Sequence, residues 1–506
     1  MTLRQKGSVA PESLAGVVFP LTDGERATQP VGRHIVATAT RRVDTAASDA
    51  ARTEERWFRH YPQHFREMTR LAAGLNAGLI AADGLTALHD SMRFRRQGAE
   101  GAVRDAIELP RPHYFTSVTV EGTGTFEGDS LSLYDQSNPV RGSALSRLLE
   151  RWESNGTAEP SAVDALRLLH ETPEWLDLRG QTFVAFGAGA EMGPCSALLS
   201  WGAHVVAIDL PGTPAWRPLL DTARASPGRL TVPVRSDLGP SPTDAEIAAS
   251  AGADVITDAP ELTEWLLGLE GPLTVGDYVY APGGVQVRAS TAVDAVMATL
   301  AERRDDVGLA YLATPTDAYA VPSDVVLASM HEFSRSNPFV AMARGLGGHR
   351  VFRANYPTML TMATERRFGL FDGLITQQGA NYALAKRIQR WRAMTSREGG
   401  TWVSINVAPP TRTTSVVNNR LLEAAYGGSH RFGLKVFSPP ASRQVMAALL
   451  VHDLRNRHSV AHASTPLENE MDLYATGAVH GGIWRAPYEP RSVLGFAAIT
   501  GRFGAS

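Results

Sequence analysis

Residues 178–209 read LRGQTFVAFGAGAEMGPCSALLSWGAHVVAID, and this stretch decides the fold. It opens with an apolar run typical of a buried strand and continues through a glycine-rich turn into the helical segment ALLSWGA. A second apolar strand, HVVAID, closes it. The turn glycines are Gly187, Gly189 and Gly193, and Asp209 ends the second strand.

The order of strand, glycine turn, helix, strand and acid predicts a dinucleotide site. The glycines let the backbone approach a pyrophosphate at the helix N-terminus. A carboxylate at Asp209 suits the adenosine ribose diol and would repel the extra phosphate of NADP. We therefore expect NAD(H) as the preferred cofactor, with NADP(H) as the alternative. A tight turn packed on a helix needs the same glycines, so the triplet alone is weaker evidence than the whole order.

Further apolar segments follow along the chain. Strands are predicted at LTVPVRSDL, PLTVGDYVYAPGG, GLAYLAT (308–314), PTMLTMA (357–363) and TWVSINVAPP (401–410). Strands that alternate with helices predict a parallel sheet covered on both faces. The expected fold is therefore α/β, a doubly wound parallel sheet of Rossmann-like type over residues 177–440.

The other segments are expected to surround this sheet. Residues 1–50 are rich in Thr, Ala, Ser, Gly and Pro, which predicts a partly flexible segment. Residues 51–176 predict an α+β extension, in which 116–135 has the alternation of two strands around a glycine-rich turn. Residues 441–506 predict a C-terminal arm.

The composition limits the classes of binding partner and the kinds of site that the chain can have. The 506 residues carry a net charge of -3 without a domain-sized excess of Lys and Arg, which argues against nucleic acid as the main partner. The sequence lacks an uninterrupted apolar run of about 18 residues, so we expect no membrane span. Cys195 is the single cysteine, which excludes a disulfide framework and fits a reducing cytoplasm. His331-Glu332 lacks the second histidine of a zinc helix, so we expect no metal site.

A second motif lies far downstream, in QQGANYALAKRIQRW. Tyr382 and Lys386 are four residues apart and therefore share one face of a helix. A phenol pKa of about 10 makes a poor acid-base catalyst at neutral pH, but a nearby lysine cation favours the phenolate. We therefore expect a lowered pKa for Tyr382, which could give a proton to a forming alkoxide or take one from an alcohol. The same spacing also occurs by chance in ordinary amphipathic helices.

In this context, residues 178–440 resemble the short-chain dehydrogenase/reductase superfamily. LRGQTFVAFGAGAEMG is similar to its opening strand and cofactor turn, NYALAK to its active-site helix, and VSINVAPPTRTT to the segment that cradles the nicotinamide. The resemblance implies that Asp237 contacts adenine, that Gly283 belongs to a cofactor-binding turn, and that Thr414 or its neighbour Thr413 binds the carboxamide.

The resemblance also implies further catalytic groups. Lys386 would bind the cofactor in addition to tuning Tyr382. Family members place a serine after the fifth strand to hold the substrate oxygen, and Thr364, which follows PTMLTMA, is expected in this role, with Thr376 second. Asn337 is expected to hold a water that links Lys386 to solvent. A turn cap at Thr364 and a plain helix start at Asn337 would explain these residues equally well.

Three departures mark a divergent relative with insertions. Glu191 stands where the family turn has glycine, and a carboxylate near a pyrophosphate is unfavourable unless it points away or meets a cation. The usual Asn-Asn-Ala-Gly is replaced by residues 280–284, and Pro410 stands where glycine is usual. The spacing between the fourth strand and Tyr382 is also longer than in ordinary members.

The function expected from these features is NAD(H)-dependent interconversion of a ketone and a secondary alcohol, with a small-molecule carbonyl compound or alcohol as the partner. One alternative is an epimerase or dehydratase of the same fold that uses bound NAD transiently. Another is a non-catalytic binding or scaffold protein, which Glu191 favours and the Tyr382-Lys386 pair opposes.

Two segments are candidate walls for a substrate. DLYATGAVHGGIWRAPYEP (472–490) predicts either a substrate lid or a packed terminal arm, and residues 311–322 should end a strand on the carboxyl side. Family members are commonly dimers or tetramers, so the resemblance also leaves a homo-oligomer open.

Overall fold

The computed structural model describes residues 14–22, 24–126, 131–335, 350–361 and 365–503, together with positions 342 and 345. The strands are β1 Gly16–Val18, β2 Arg93–Arg96, β3 Ala99–Ala102, β4 Thr116–Glu121, β5 Leu133–Asp135, β6 Asn138–Val140, β7 Thr182–Phe186, β8 His204–Ile208, β9 Arg229–Val234, β10 Leu273–Asp277, β11 Val307–Ala313, β12 Ala318–Pro322, β13 Leu360–Thr361, β14 Arg367–Asp372 and β15 Val403–Val407.

The helices are α1 Thr28–Arg41, α2 Thr45–Thr53, α3 Trp57–Ala72, α4 Ala77–Ser91, α5 Val103–Ile107, α6 Gly142–Ser154, α7 Pro160–Glu171, α8 Cys195–Ser200, α9 Trp216–Ala225, α10 Asp244–Ser250, α11 Val255–Leu267, α12 Gly284–Arg303, α13 Ser323–Ser334, α14 Ala380–Glu398, α15 Thr414–Val417, α16 Arg420–Gly428, α17 Pro439–Arg455, α18 Asp472–Ala475 and α19 Pro490–Phe503. Short 3-10 helices lie at Pro173–Leu176 and Ser429–Phe432.

A seven-stranded sheet forms the centre of the fold, in the order β15-β11-β10-β7-β8-β9-β4. All neighbours in it run parallel except β4, which is antiparallel to β9. Taken in chain order from β7, the parallel strands have the order 3-2-1-4-5-6, which is that of doubly wound dinucleotide-binding folds. The expected α/β class is therefore confirmed, and the sheet is compatible with a Rossmann-like fold.

Strand β7 shows how both faces of this sheet are buried. Successive side chains of a strand point to opposite faces. Val184 and Phe186 belong to one apolar core, which they share with the N-terminal helices. Phe183 and Ala185 belong to a second core, on the side of α8 and α17. The near-continuous apolar sequence of β7 is the consequence of this double covering.

Two strands form within 116–135, as expected, but they do not pair with each other. Its first part, β4, pairs with β9 at the edge of the central sheet, with Val118 opposite Val232. Its second part, β5, pairs with β6 instead. Alternation correctly indicates strands here, but it does not specify their partners, and β9 would otherwise present an open sheet edge. The extension thus contributes a strand to the central sheet.

The segment expected to be partly flexible, residues 1–50, contains α1 and most of α2. Ile35 on α1 is 0% exposed and belongs to the core that includes Leu88 of α4. Helices α1 and α4 both lie against α14. A Cβ at Gly84 of α4 would lie 2.6 Å from the ring of Trp391 on α14. The N-terminal helices therefore cover the face of the sheet domain that α12 and α14 form. Residues 1–13 lie outside the described residues.

A buried charge cluster joins these helices. Asp294 of α12 accepts a bidentate pair from Arg392 of α14, at 2.8 and 2.9 Å. Its Oδ2 also lies 2.7 Å from Nε2 of His89 on α4. Burial alone would raise the pKa of Asp294, but the Arg392 and His89 partners outweigh burial and lower that pKa.

The segment 357–363 is not a strand of the parallel sheet, so that prediction is wrong. Within the described part of that segment, residues 357–361, β13 forms, and it belongs to a small antiparallel sheet of order β12-β14-β13. The fifth parallel strand is β11, which pairs with β10 and β15. An apolar run fits either kind of sheet, so the run alone could not distinguish them.

The C-terminal segment is a packed arm. His480 and Trp484 are both 0% exposed, and their rings stack with centroids 4.6 Å apart. Trp484 also packs against Tyr319 of β12, at 5.3 Å. Arg485 donates to both carboxylate oxygens of Glu159, which fixes the arm to the start of α7. No helix within the described ranges is long and apolar enough to cross a membrane.

The buried carboxyl group of Glu159 is expected to make a pH-dependent contribution to the free energy of unfolding. Burial alone would raise its pKa from 4.5, but hydrogen bonds from His480 and Arg485 lower it to about 2. A depressed carboxyl pKa stabilises the fold above the unfolded pKa, and this contribution is lost as the pH falls toward the folded pKa. We expect Glu159→Gln to lower the free energy of unfolding at pH 7 by on the order of 3 kcal/mol.

Urea denaturation at a series of pH values checks this. The difference between the wild type and Glu159→Gln should shrink as the pH falls from about 4.5 toward about 2. Glu171→Gln, at the exposed end of the same helix, serves as the control and should stay close to the wild type. A difference that does not change with pH would contradict the role assigned to Glu159.

Candidate functional site

A cleft of about 1120 Å³ lies along the carboxyl ends of the parallel strands. Residues that follow directly on five of these strands line it, namely Gly187, Asp209, Tyr278, Thr314 and Ala408. They meet there because parallel strands end at the same edge of a sheet. Ligand pockets commonly measure about 300–1,000 Å³, so the cleft has room for a ligand above the usual size or for two ligands together.

The turn after β7 requires glycine at its first position. Gly187 has φ +75°, and a Cβ there would lie 2.9 Å from the backbone of Tyr278. The amide of Gly189 donates to Asp209 Oδ2 at 2.8 Å. A Cβ on Gly189 would lie 2.4 Å from the Ala215 side chain, so this glycine is needed for loop packing as well. Gly193 lines the cleft beside them.

The charges along the cleft are unevenly distributed. Asp209 and Asp254 line the end next to β8. Among the described residues that line the cleft, Lys386 is the only Lys, Arg or His. It contacts Leu312 of β11, and two strands separate β11 from β8. The end near Asp209 is therefore acidic, which disfavours an additional phosphate there.

Asp237 does not reach this cleft, so its predicted contact with adenine is not supported. It is exposed, its Oδ1 accepts from the amide of Gly239 at 2.9 Å, and the cleft wall is formed instead by residues 253–256. Gly283 does line the cleft, at the start of α12, with φ +60°. Of these two predicted cofactor residues, the structure brings only Gly283 to the site.

Tyr382 is half-buried on the first turn of α14, and its phenol lies near the Thr314 side chain. Its ring lies 6.3 Å from that of Tyr280, edge to face. Burial raises the pKa of Tyr382, and the nearby Thr314 hydroxyl only partly offsets this. The expected lowering of the phenol pKa is therefore wrong for the chain by itself. The phenol is protonated at neutral pH.

Lys386 is held on the same face of α14. Its Nζ donates to the Leu312 carbonyl at 3.1 Å and to Gln389 Oε1 at 2.9 Å. Gln389 in turn donates to Asp277 Oδ2 at 2.8 Å. Burial lowers the pKa of Lys386, and the carboxylates of Asp277 and Asp317 oppose that shift. Sequence reasoning missed Asp277 and Gln389, which fix the position of the lysine.

Thr314 holds the position expected for the residue after the fifth strand. It follows β11 directly, and its Oγ1 lies 2.9 Å from that of Thr316, which also accepts from Gln378. Thr364 and Asn337 lie outside the described residues, and Thr376 is exposed away from the cleft lining. The assignment to Thr364 rested on the wrong fifth strand. The signal that could have identified Thr314 is its position at the end of the run GLAYLA.

Glu191 links the glycine turn to the segment after β15. Its carboxylate accepts from the amide of Thr414 at 2.8 Å and from the Thr414 hydroxyl. Arg443 of α17 donates two hydrogen bonds to the backbone carbonyl of Glu191 and so fixes the turn to that helix. The carboxylate thus points toward hydrogen-bond donors, and Thr414, predicted to bind a carboxamide, is paired with Glu191.

Other predicted walls are partly confirmed. Residues 312–316, within the predicted wall 311–322, line the cleft. None of the described residues from 441 to 503 lines it, so the C-terminal segment is not a lid over this site. Sequence reasoning missed the contributions from the starts of α1 and α3 and from α16. Within the described part of the chain, no three His, Cys, Asp or Glu side chains are grouped so as to hold a metal ion.

The fold and cleft define an α/β protein with its candidate site at the carboxyl edge of a mostly parallel sheet. No protein-family model matches this chain, and no curated protein matches it significantly. The resemblance to short-chain dehydrogenases therefore stays an expectation drawn from its motifs.

The contact between Glu191 and Thr414 can be tested directly. We expect Glu191→Ala to increase amide hydrogen exchange over residues 411–418 by about tenfold or more, because hydrogen bonds to a charged group are lost. Exchange measured by mass spectrometry checks this, with Glu332→Ala on α13 as the control. Unchanged exchange over 411–418 would show that this contact does not restrain the segment.

Proposed function

We propose that the chain is an NAD(H)-dependent oxidoreductase of the short-chain dehydrogenase type, which interconverts a ketone and a secondary alcohol in this cleft. One observation carries the proposal: Tyr382 and Thr314 line the same cleft with their side chains close together, and Lys386 lies one helical turn from Tyr382. The glycine turn and Asp209 line the same cleft.

The cofactor end fits a dinucleotide. Gly187 leaves the turn after β7 without the Cβ that its backbone conformation excludes. Asp209 would bind the ribose diol, and the acidity of this end supports NAD(H) over NADP(H). Gly283 and residues 411–414 would border the rest of the cofactor. When bound, the nicotinamide supplies or accepts the hydride at the substrate carbon.

The chain's own residues would handle the proton. The Thr314 hydroxyl would donate a hydrogen bond to the carbonyl oxygen and so polarise it. Tyr382 would donate its proton to that oxygen as the alkoxide forms. The buried phenol is protonated at neutral pH and can therefore serve as the proton donor when the carbonyl is reduced. Lys386 would stay fixed by Leu312 and Gln389 and present its charge beside the phenol.

The cofactor assignment predicts the outcome of a titration with NADH and, separately, NADPH, followed by nicotinamide fluorescence. NADH should bind more tightly than NADPH. Asp209→Ala should lower the affinity for NADH by about 10- to 100-fold, because hydrogen bonds to a charged group are lost. Asp221→Ala, an exposed acid on α9, is the matched control. Tighter binding of NADPH would overturn the role of Asp209, and binding of neither would favour a scaffold protein.

The catalytic assignment predicts large losses from two small substitutions. In a panel of ketones with NADH, Tyr382→Phe should lower kcat by about 100- to 10,000-fold, because the proton donor is removed. Thr314→Val should lower it by about 100- to 1,000-fold, because the substrate oxygen loses a hydrogen bond. NADH affinity should stay close to that of the wild type in both.

Two variants serve as controls for that experiment. Tyr134→Phe and Thr376→Val make the same chemical changes outside the cleft lining and should leave kcat unchanged. Equal losses in the controls, or full activity in Tyr382→Phe, would reject the assignment. Retention of bound NAD without its net consumption would point to an epimerase or dehydratase.

A further inference from the structure

Two helices N-terminal to the central parallel strands, α1 and α3, reach the candidate site. Thr28 and Gln29, at the start of α1, line the cleft, and so do Trp57 and Phe58, at the start of α3. These helices begin there because their ends are held by the sheet domain. A Cβ on Gly284 would lie 2.9 Å from the Thr28 side chain, which places the start of α1 on the start of α12.

The start of α3 is held in a similar way. The hydroxyl of Tyr61, one turn into α3, donates to the Ile375 carbonyl at 2.8 Å. Ile375 belongs to the segment that leads into α14, the helix that carries Tyr382. The extension therefore meets the cleft at the end where Tyr382 lies, beside the first turn of α14.

Two aromatic side chains are exposed within this part of the cleft. Phe58 is 55% exposed and Tyr280 is 62% exposed, although both are large and mainly apolar. The Tyr280 ring lies 6.3 Å from that of Tyr382. Exposed apolar side chains that cluster in a concave site, rather than singly on a convex surface, indicate a surface that a ligand covers.

A further part of the lining supplies apolar side chains among polar ones. Val416 of α15, with Leu422 and Tyr426 of α16, lines the cleft. Tyr426 is close enough to Tyr382 to raise the pKa of its phenol. A ligand whose reacting oxygen meets Thr314 and Tyr382 would thus lie between aromatic and aliphatic side chains.

The lining offers little to stabilise an anionic group in the same space. Lys386 is the only cation among the described lining residues, and its ammonium is bonded to the Leu312 carbonyl and to Gln389. The Arg59 guanidinium lies over the Phe58 ring, 5.5 Å from its centroid, but Arg59 does not belong to the described lining. A carboxylate or phosphate on the substrate would therefore be desolvated with only a bonded ammonium among the lining residues.

We propose that the start of α3 forms one wall of the substrate pocket, and that this pocket takes an uncharged carbonyl compound or alcohol with a bulky apolar body. The inference rests on the proposed function for the position of the reacting oxygen. It adds to that function the class of substrate and a specificity-determining residue, Phe58.

The test separates binding from turnover. Binding of 2-acetonaphthone, a neutral aryl ketone, is measured by calorimetry in the presence of NAD and compared with 6-acetyl-2-naphthoate, which adds a carboxylate to the same ring system. We expect 2-acetonaphthone to bind at least about tenfold more tightly, since the charged compound pays for desolvation. Phe58→Ala should weaken the binding of 2-acetonaphthone by about tenfold or more, because a contact with the phenylalanine ring is lost.

Leu109→Ala, which truncates a 70% exposed leucine of the extension outside the cleft lining, is the matched control and should bind like the wild type. Equal binding of the two ketones, an unaffected Phe58→Ala, or no binding of 2-acetonaphthone to the wild type would overturn the proposal. NADH consumption is then measured with the same ketone. Binding that depends on Phe58 without turnover would reject the proposed reductase function and retain the substrate pocket.

Discussion

The position of α14 depends on one buried carboxylate, Asp317. It accepts hydrogen bonds from Arg387 and Arg390, and its side chain is only 1% exposed. The Arg390 guanidinium also lies over the rings of Tyr319 and Tyr474, at 4.4 and 4.3 Å. Removing one partner from such a buried pair typically costs about 3–5 kcal/mol, since a charge is left unpaired. The rotation of α14, and thus the face that it presents to the cleft, follows from these contacts.

The candidate site arises where this helix meets the end of a strand. β11 is fixed between β10 and β15 by parallel pairing, so Thr314 emerges at the carboxyl edge of the sheet. Tyr382 and Lys386 occupy the part of α14 just before Arg387. The chain from Asp277 through Gln389 to the Lys386 ammonium adds a second restraint. A helix fixed by buried charges and a strand fixed by its hydrogen bonds thus determine the distance between Thr314 and Tyr382.

The end of the cleft at the glycine turn could be predicted from the sequence because its parts are local. Gly187 and Asp209 belong to one strand-turn-helix-strand unit, and only the packing of Ala215 on Gly189 could not be read from it. The end of the cleft at Tyr382 could be predicted only in part. The helix with Tyr382 was recognised by its spacing, but its hydroxyl partner follows a strand that an insertion separates from α14. Two apolar runs, 308–314 and 357–363, were candidates for the strand that precedes the hydroxyl residue. The run nearer to Tyr382 in sequence, 357–363, does not belong to the parallel sheet.

The cleft wall at the start of α3 was not predictable, since it depends on helices far away in sequence. Trp57 is 2% exposed, and a Cβ on Gly32 of α1 would lie 3.1 Å from its indole nitrogen. Phe58 follows this buried residue directly, so its backbone is held by the same core that covers α12 and α14. Moving the wall would require exposing that core, including Ile35. The start of α3 therefore presents a packed surface to the cleft, and under the proposed function this packing would set the shape of the wall that a substrate meets.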